Sequence, residues 1–282
     1  MIHLRKILLF CSLILLFFNS CVTENAVPAY IHVPAFSLTT KPSEGTASEK
    51  ITDAWVYVDG QINGVFQLPA TLPIIEIGKH DLKIFPGVRN NGTRSNPVIY
   101  ALYNAYSVNF DLKAGKVDTI RPFTTYFNNL NFAIMEDFER TNTFIIDQDN
   151  NTNTRFTIDA NGFEGKCASL TLNKTNPRSE KASAARVPLS EFANSIFLEM
   201  NYKTEAFLSV GIIGSSVFST PETLYKITLV PNKTWNKTYI NLTNEVKQLK
   251  LTNFQIVFGA ELPDSLSTAK VLIDNVKLIE AK

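Results

Sequence analysis

The sequence predicts an all-β protein: two tandem β-sandwiches behind an export leader. Three observations carry that reading. No window shows sustained helical periodicity, and turn residues recur at roughly eight to twelve positions, the spacing of sandwich strands. A length of 282 residues with 45% hydrophobic side chains is enough for two cores. A formal charge of +1 excludes nucleic acid as a partner, because neutralising phosphates needs a basic stripe.

The leader comes first. Arg5 and Lys6 precede an apolar run from Ile7 to Phe18, interrupted at Ser12. As a helix this run spans about 18 Å, short of the ~30 Å hydrocarbon core, so it reads as a signal peptide and not a membrane span. Phe18-Asn19-Ser20-Cys21 resembles the bacterial lipobox. That resemblance implies that residues 1–20 are a lipoprotein signal peptide, that the Cys21 thiol carries diacylglycerol, and that 21–29 tether the chain to a membrane. The alternative is a secreted protein with an incidental cysteine. Val22-Thr23-Glu24-Asn25 lacks the aspartate of inner-membrane retention and resembles the surface-export signals of Bacteroidetes lipoproteins, which implies the outer membrane. Asp118-Thr119-Ile120 and Asp264-Ser265-Leu266 resemble the O-glycosylation pattern of the same group.

Removing residues 1–20 takes two basic residues and no acid, leaving 25 against 26, net −1. It also leaves Cys167 as the one cysteine besides Cys21, so no intramolecular disulfide is expected and the cores must supply the stability. Cys167 reads as a small buried apolar residue.

The first sandwich is expected over residues 30–128. Strands are predicted at Ala54–Val58, Ile62–Leu68, Asp81–Phe85, Tyr106–Leu112 and Val117–Thr125, with turns at Asp59-Gly60, Gly78-Lys79 and Ala114-Gly115-Lys116 and a loop from Val88 to Pro97. The run Val56-Tyr57-Val58-Asp59-Gly60, then Asn63-Gly64, Leu68-Pro69 and Gly78-Lys79-His80-Asp81 resembles the PEGA-type module of bacterial surface proteins. The resemblance implies glycines in tight turns, a packing role for His80, and no catalysis.

The second sandwich is expected over residues 133–282, opening at Met135-Glu136-Asp137-Phe138-Glu139 and closing on Ala269–Leu278. With Gly162–Leu170 and Trp235–Thr243 between them, the ordered set resembles the galactose-binding-like jelly roll of carbohydrate-binding modules. Core strands are predicted at Ile196–Tyr202, Ala206–Ile213, Leu224–Val230 and Phe254–Phe258. The resemblance implies a structural calcium between the first and last strands, held by Glu139 and Asp274 with carbonyls of the Gly162–Lys166 turn. The competing reading makes both carboxylates edge charges paired with Lys or Arg.

For a ligand surface, strand parity puts Glu199 and Asn201 on one face, with Lys226 and Gln255 on later strands, as a polar concave surface for sugar or as an ordinary solvated face. Trp235 is read as core. Catalysis finds little support: residues 133–282 contain no histidine for a Ser-His or Cys-His pair, no phosphate-loop or zinc spacing occurs, and a glycan hydrolase built on a carboxylate pair ranks last. The expected function is a non-enzymatic, lipid-anchored envelope protein whose jelly roll binds glycan. The alternative is a structural or accessory subunit that docks on an outer-membrane protein machine.

Overall fold

A computed structural model describes residues 26–93, 97–188, 194–215, 220–248 and 253–281. The leader and Cys21 lie outside the described residues. Among the described residues no helix is long and apolar enough to cross a membrane.

The first sandwich is made of β1 (Ala29–Val33), β2 (Ser37–Thr39), β3 (Asp53–Val58), β4 (Gln61–Gln67), β5 (Ala70–Ile74), β6 (Gly78–Arg89), β7 (Pro97–Ile99), β8 (Tyr106–Leu112), β9 (Val117–Thr119) and β10 (Phe123–Thr125). One layer is the sheet β4-β3-β6-β7, with β8 also on β6; facing it are β5-β1-β9 and the pair β10-β2. Alternation builds the core: Ala54, Val56 and Val58 of β3 turn inward with Leu82 and Ile84 of β6, against Ile31, Val33, Leu72 and Ile74. The β3–β4 hairpin turns on Asp59-Gly60 with φ of 47° and 80°, the backbone of a type I′ turn. The Asp59 carboxylate then accepts from the Asp81 backbone N–H (2.9 Å) and meets His80 Nδ1 at 2.6 Å, binding the turn to β6.

Two expectations need correction here. Val88 and Arg89 belong to β6 and not to a loop, since β6 bonds β3 and β7 on its two sides and the chain turns later, at Asn91 (φ 53°) and Gly92 (φ 67°). The strand expected over Val117–Thr125 is two, β9 and β10, bonded parallel to β1 and β2 respectively. Pro122 lies in the gap, where it has no N–H to give a ladder.

The second sandwich contains β11 (Leu130–Glu136), β12 (Ile146–Asp147), β13 (Thr157–Asp159), β14 (Cys167–Asn173), β15 (Arg178–Ala182), β16 (Val187–Pro188), β17 (Ser195–Thr204), β18 (Phe207–Ser215), β19 (Glu222–Leu229), β20 (Asn232–Asn241), α1 (Thr243–Gln248), β21 (Asn253–Glu261) and β22 (Thr268–Ala281). A front sheet runs β13-β14-β22-β17-β20 with β11 on β22; a back sheet runs β12-β15-β21-β18-β19 with β16 on β21. The steps from β14 to β15, β17 to β18, β19 to β20 and β21 to β22 each cross between sheets, which is jelly-roll wiring. Between the sheets lie Leu170, Leu198, Met200, Val210, Ile212, Ile256, Phe258 and Ile273, all buried. Cys167 is also buried, and burial lifts its thiol to about 11, so it stays protonated and inert.

The two sandwiches are not separate bodies. Phe197, Tyr239 and Ile279, from the outer face of the front sheet, belong to the core of the first sandwich. At the centre of this junction is Glu199, fully buried. Its carboxylate accepts from the hydroxyls of Tyr100 (2.8 Å) and Tyr126 (3.0 Å) and lies 2.9 Å from Lys237 Nζ. Tyr100 packs its ring on Tyr103, Tyr239 and Phe197 at 4.6, 4.8 and 5.1 Å. Burial raises the hydroxyl pKa of Tyr100, Tyr103, Tyr126 and Tyr239, keeping all four protonated. Around them, Lys277 Nζ donates to the Thr46 carbonyl (2.6 Å), Ser48 to Asn201 Oδ1 (2.8 Å), and the Asn91 N–H to the Tyr239 carbonyl (2.8 Å). Desolvation brings Lys277 down to about 8.

A buried carboxylate opposite a buried ammonium fixes one expectation. Glu199→Ala leaves Lys237, 5% exposed, without its counter-charge, and such losses cost about 3–5 kcal/mol. Denaturant unfolding of the full chain should show that loss as a lowered midpoint. A change under about 1 kcal/mol would remove Glu199 from the role assigned to it.

Candidate functional site

The residues expected to form one concave surface fall on two sheets. Glu199 and Asn201 do share a face, as parity predicted, but that face of the front sheet lies beneath the first sandwich, and they are 0% and 1% exposed. Lys226 and Gln255 belong to the back sheet. Lys226 pairs with Glu245 of α1 at 2.6 Å, and Gln255 donates its amide to the Ser183 carbonyl. The cause at Lys226 is a β-bulge: Val210 faces Ile227 while Gly211 faces Tyr225, so Lys226 is the extra residue. The bulge also changes parity, and Tyr225 and Thr228, three apart, line the same outer groove.

That groove, of about 330 Å³, is the site that sequence reasoning missed. It crosses β15, β21, β18 and β19 on the solvent side of the back sheet. Tyr225 lies along its floor, 39% exposed. The phenol is close to Gly259: a Cβ there would stand 2.5 Å from the hydroxyl oxygen, and a Cβ at Gly211 would stand 2.7 Å from Tyr225 Cα. Gly259 thus lets the aromatic ring lie against bare backbone, while Gly211 makes room for the β19 backbone at the bulge. A glycine inside a strand was the available sequence signal, since it marks close approach of something to the sheet.

Polar groups converge around the ring. Glu180 accepts from the Thr223 hydroxyl (3.3 Å), and burial together with the nearby Glu180 and Asp149 charges raises the Tyr225 phenol well above its ordinary pKa. Ser209 and Thr228 share a hydroxyl hydrogen bond of 2.8 Å, and Arg178 donates to Glu261 at 2.9 Å. Phe207, 39% exposed, lies at the rim. Asp149 stands at one wall, held from behind by the buried ammonium of Lys181, which is 2.8 Å from Asp149 and from Asp147 and donates to the Asn151 carbonyl (3.2 Å). The groove therefore offers an aromatic floor, exposed hydroxyls and carboxylates already oriented by neighbours. Its lining carries Asp149, Glu180 and Glu261 against Arg178, a net negative character.

The expected calcium ligands are placed at opposite ends of one loop, 162–166. Asp274, fully buried, accepts from the backbone N–H groups of Phe163 (2.8 Å), Glu164 (3.1 Å) and Asn275 (2.7 Å). Glu139 accepts from the Lys166 N–H (2.6 Å), while Lys166 Nζ donates to the Glu139 carbonyl (3.0 Å). Calcium needs six to eight oxygens around it. Here the turn directs N–H donors at both carboxylates and the Lys166 ammonium at the Glu139 main-chain carbonyl, and among the described residues no three acidic, histidine or cysteine side chains are grouped so as to hold a metal ion. The arrangement does not fit an ion; it fits a loop clamp. Trp235 also departs from expectation: it is half-buried on the outer face of the front sheet, edge-on to Phe163 at 6.1 Å, outside the core.

Desolvation is the main cause of an Asp274 pKa of about 6, outweighing its N–H donors. The fold therefore favours the neutral acid. This contribution is complete below about pH 3.8, the ordinary value, and is lost as pH rises through about 6. Unfolding in chelator should show stability falling across that window, and Asp274→Asn should remove the fall. Calcium should leave the midpoint unchanged; a midpoint raised by calcium at neutral pH would restore the ion to this loop.

No protein-family model and no curated protein matches the sequence. Among solved structures, about half of the chain is similar in fold to carbohydrate-binding modules. The family 11 module of the cellulosomal cellulase Lic26A-Cel5E of Clostridium thermocellum is 14% identical with a TM-score of 0.38, over 52% of this chain and 94% of that one. A family 30 module is 11% identical with a TM-score of 0.38, over 53% and 89%. The xylan-binding domain of family 22 is 11% identical with a TM-score of 0.35, over 53% and 95%. The likeness is one of fold.

Proposed function

We propose that the chain is a non-catalytic glycan-binding protein of the cell envelope, anchored by lipid at Cys21, with the Tyr225 groove as its ligand site. The observation that carries this reading is the aromatic ring seated over Gly259 and ringed by hydroxyls and carboxylates. Sugars present a flat C–H face to an aromatic and a rim of hydroxyls to polar groups, and the groove supplies both. The carboxylates are occupied in holding the site: Glu261 by Arg178, Asp149 by Lys181 and Glu180 by Thr223. None stands ready as a general acid, which supports binding over hydrolysis. The acidic lining favours a neutral polysaccharide, because a uronate or sulfate would meet like charge. The first sandwich, with its PEGA-like sequence, serves in this reading as the stalk between anchor and binding module.

Affinity electrophoresis of the full chain through gels containing neutral β-glucans, xylans or mannans tests the groove. Retardation by one of them should fall at least about tenfold in Tyr225→Ala, roughly 1.4 kcal/mol, with the thermal midpoint preserved. Equal retardation of wild type and variant would remove the groove. Silence across all the polymers together with a co-purifying membrane protein would favour an accessory subunit. The anchor has its own test: Cys21→Ser should abolish labelling by a fatty-acid probe, and persistent labelling would refute lipidation there.

A further inference from the structure

The outer face of the front sheet does not end where the first sandwich stops. Successive cross-strand rows place Ile279 beside Phe197, Lys277 beside Glu199 and Tyr239, then Asp274 beside Asn201 and Lys237. These rows are the covered ones. The next row, Leu272 beside Lys203, opens into a cavity of about 400 Å³ lined by Asn161, Lys203, Glu205, Lys233, Lys270 and Leu272. Trp235, two residues from Lys233 on β20, and Phe163, 43% exposed, stand as an edge-to-face aromatic pair on the same side of the molecule.

The charges in this cavity are unevenly matched. Lys270 is paired with Asp159 at 2.5 Å, and Glu205 accepts from the Lys270 backbone N–H at 2.9 Å. The side-chain ammonium groups of Lys203 and Lys233 make no hydrogen bond or ion pair among the described residues. Two uncommitted ammonium groups thus share a concave floor with the apolar side chain of Leu272. This is the opposite polarity to the Tyr225 groove on the other sheet. The cavity has the volume of a small-ligand site, and a saccharide that carries an anion would meet both ammonium groups on entering it.

We propose that the open end of the front sheet is a second binding site, for an anionic saccharide. Its carboxylate or sulfate is held by Lys203 and Lys233, with Trp235 flanking the sugar. The site stands on a different sheet from the Tyr225 groove and does not depend on it.

The test uses the full chain with polygalacturonate as the carboxylate probe and dextran sulfate as the sulfate probe. Binding is read by gel retardation and by tryptophan fluorescence, with Trp235→Phe to assign the optical signal. The expected result is retardation by at least one polymer that weakens with salt and falls about tenfold or more in Lys203→Glu/Lys233→Glu, while Tyr225→Ala binds as wild type. Response to polygalacturonate alone identifies a uronate, to dextran sulfate alone a sulfated sugar, and to both a shared anion site. Equal retardation of the double variant and wild type would overturn the proposal, as would wild type passing freely through both polymers. Lys203→Gln/Lys233→Gln, which removes charge without adding repulsion, should show the same loss, and its thermal midpoint checks that the fold is intact.

Discussion

The structure depends on one buried ion, the Glu199 carboxylate. Two tyrosine hydroxyls from the first sandwich and one ammonium from the second converge on it. A carboxylate is stable out of water only when such partners are already in place, so the sandwiches must meet in one arrangement. Around that fixed point the apolar contacts of Phe197, Tyr239 and Ile279 extend the first core onto the second. Hydrophobic area alone would tolerate sliding; the hydrogen-bonded charge does not.

That docking decides which surfaces remain for ligands. It occupies the middle of the front sheet, leaving the glycine-floored back groove and the lysine-lined end of the front sheet exposed to solvent. One scaffold therefore presents two concave surfaces of opposite charge. The β-bulge at Lys226 is what aims Tyr225 into the first of them, and β22, spanning β11, β14 and β17, carries the rows that lead to the second.

Much of the fold was legible in the sequence, because inward and outward residues alternate with a period of two and the turns carry glycine. The strand around Ile196–Tyr202 emerged as β17, and Asp59-Gly60 emerged as the hairpin turn. The face shared by Glu199 and Asn201 was legible too, yet its burial was not: alternation states which residues share a side, never what lies on it. Lys226 was misassigned because a bulge breaks parity without any signal in side-chain polarity. The carboxylates Glu139 and Asp274 were correctly brought to one loop, but whether a turn points carbonyls or N–H groups at them is a backbone property that residue types do not encode. Tyr225 was legible in retrospect, through the glycines of β18 and β21 that face it.

Lys181 carries a consequence of its own. Asp147, Asp149 and Asn151 place oxygen-bearing side chains at alternate positions, a spacing that in other loops wraps a calcium ion. Here the positive charge at the centre is an ammonium, joined by its own side chain to β15. A covalently held cation cannot be diluted away, chelated or exchanged for magnesium. The wall of the groove that Asp149 forms thus keeps its shape in surroundings where divalent ions are scarce or are sequestered by acidic polymers.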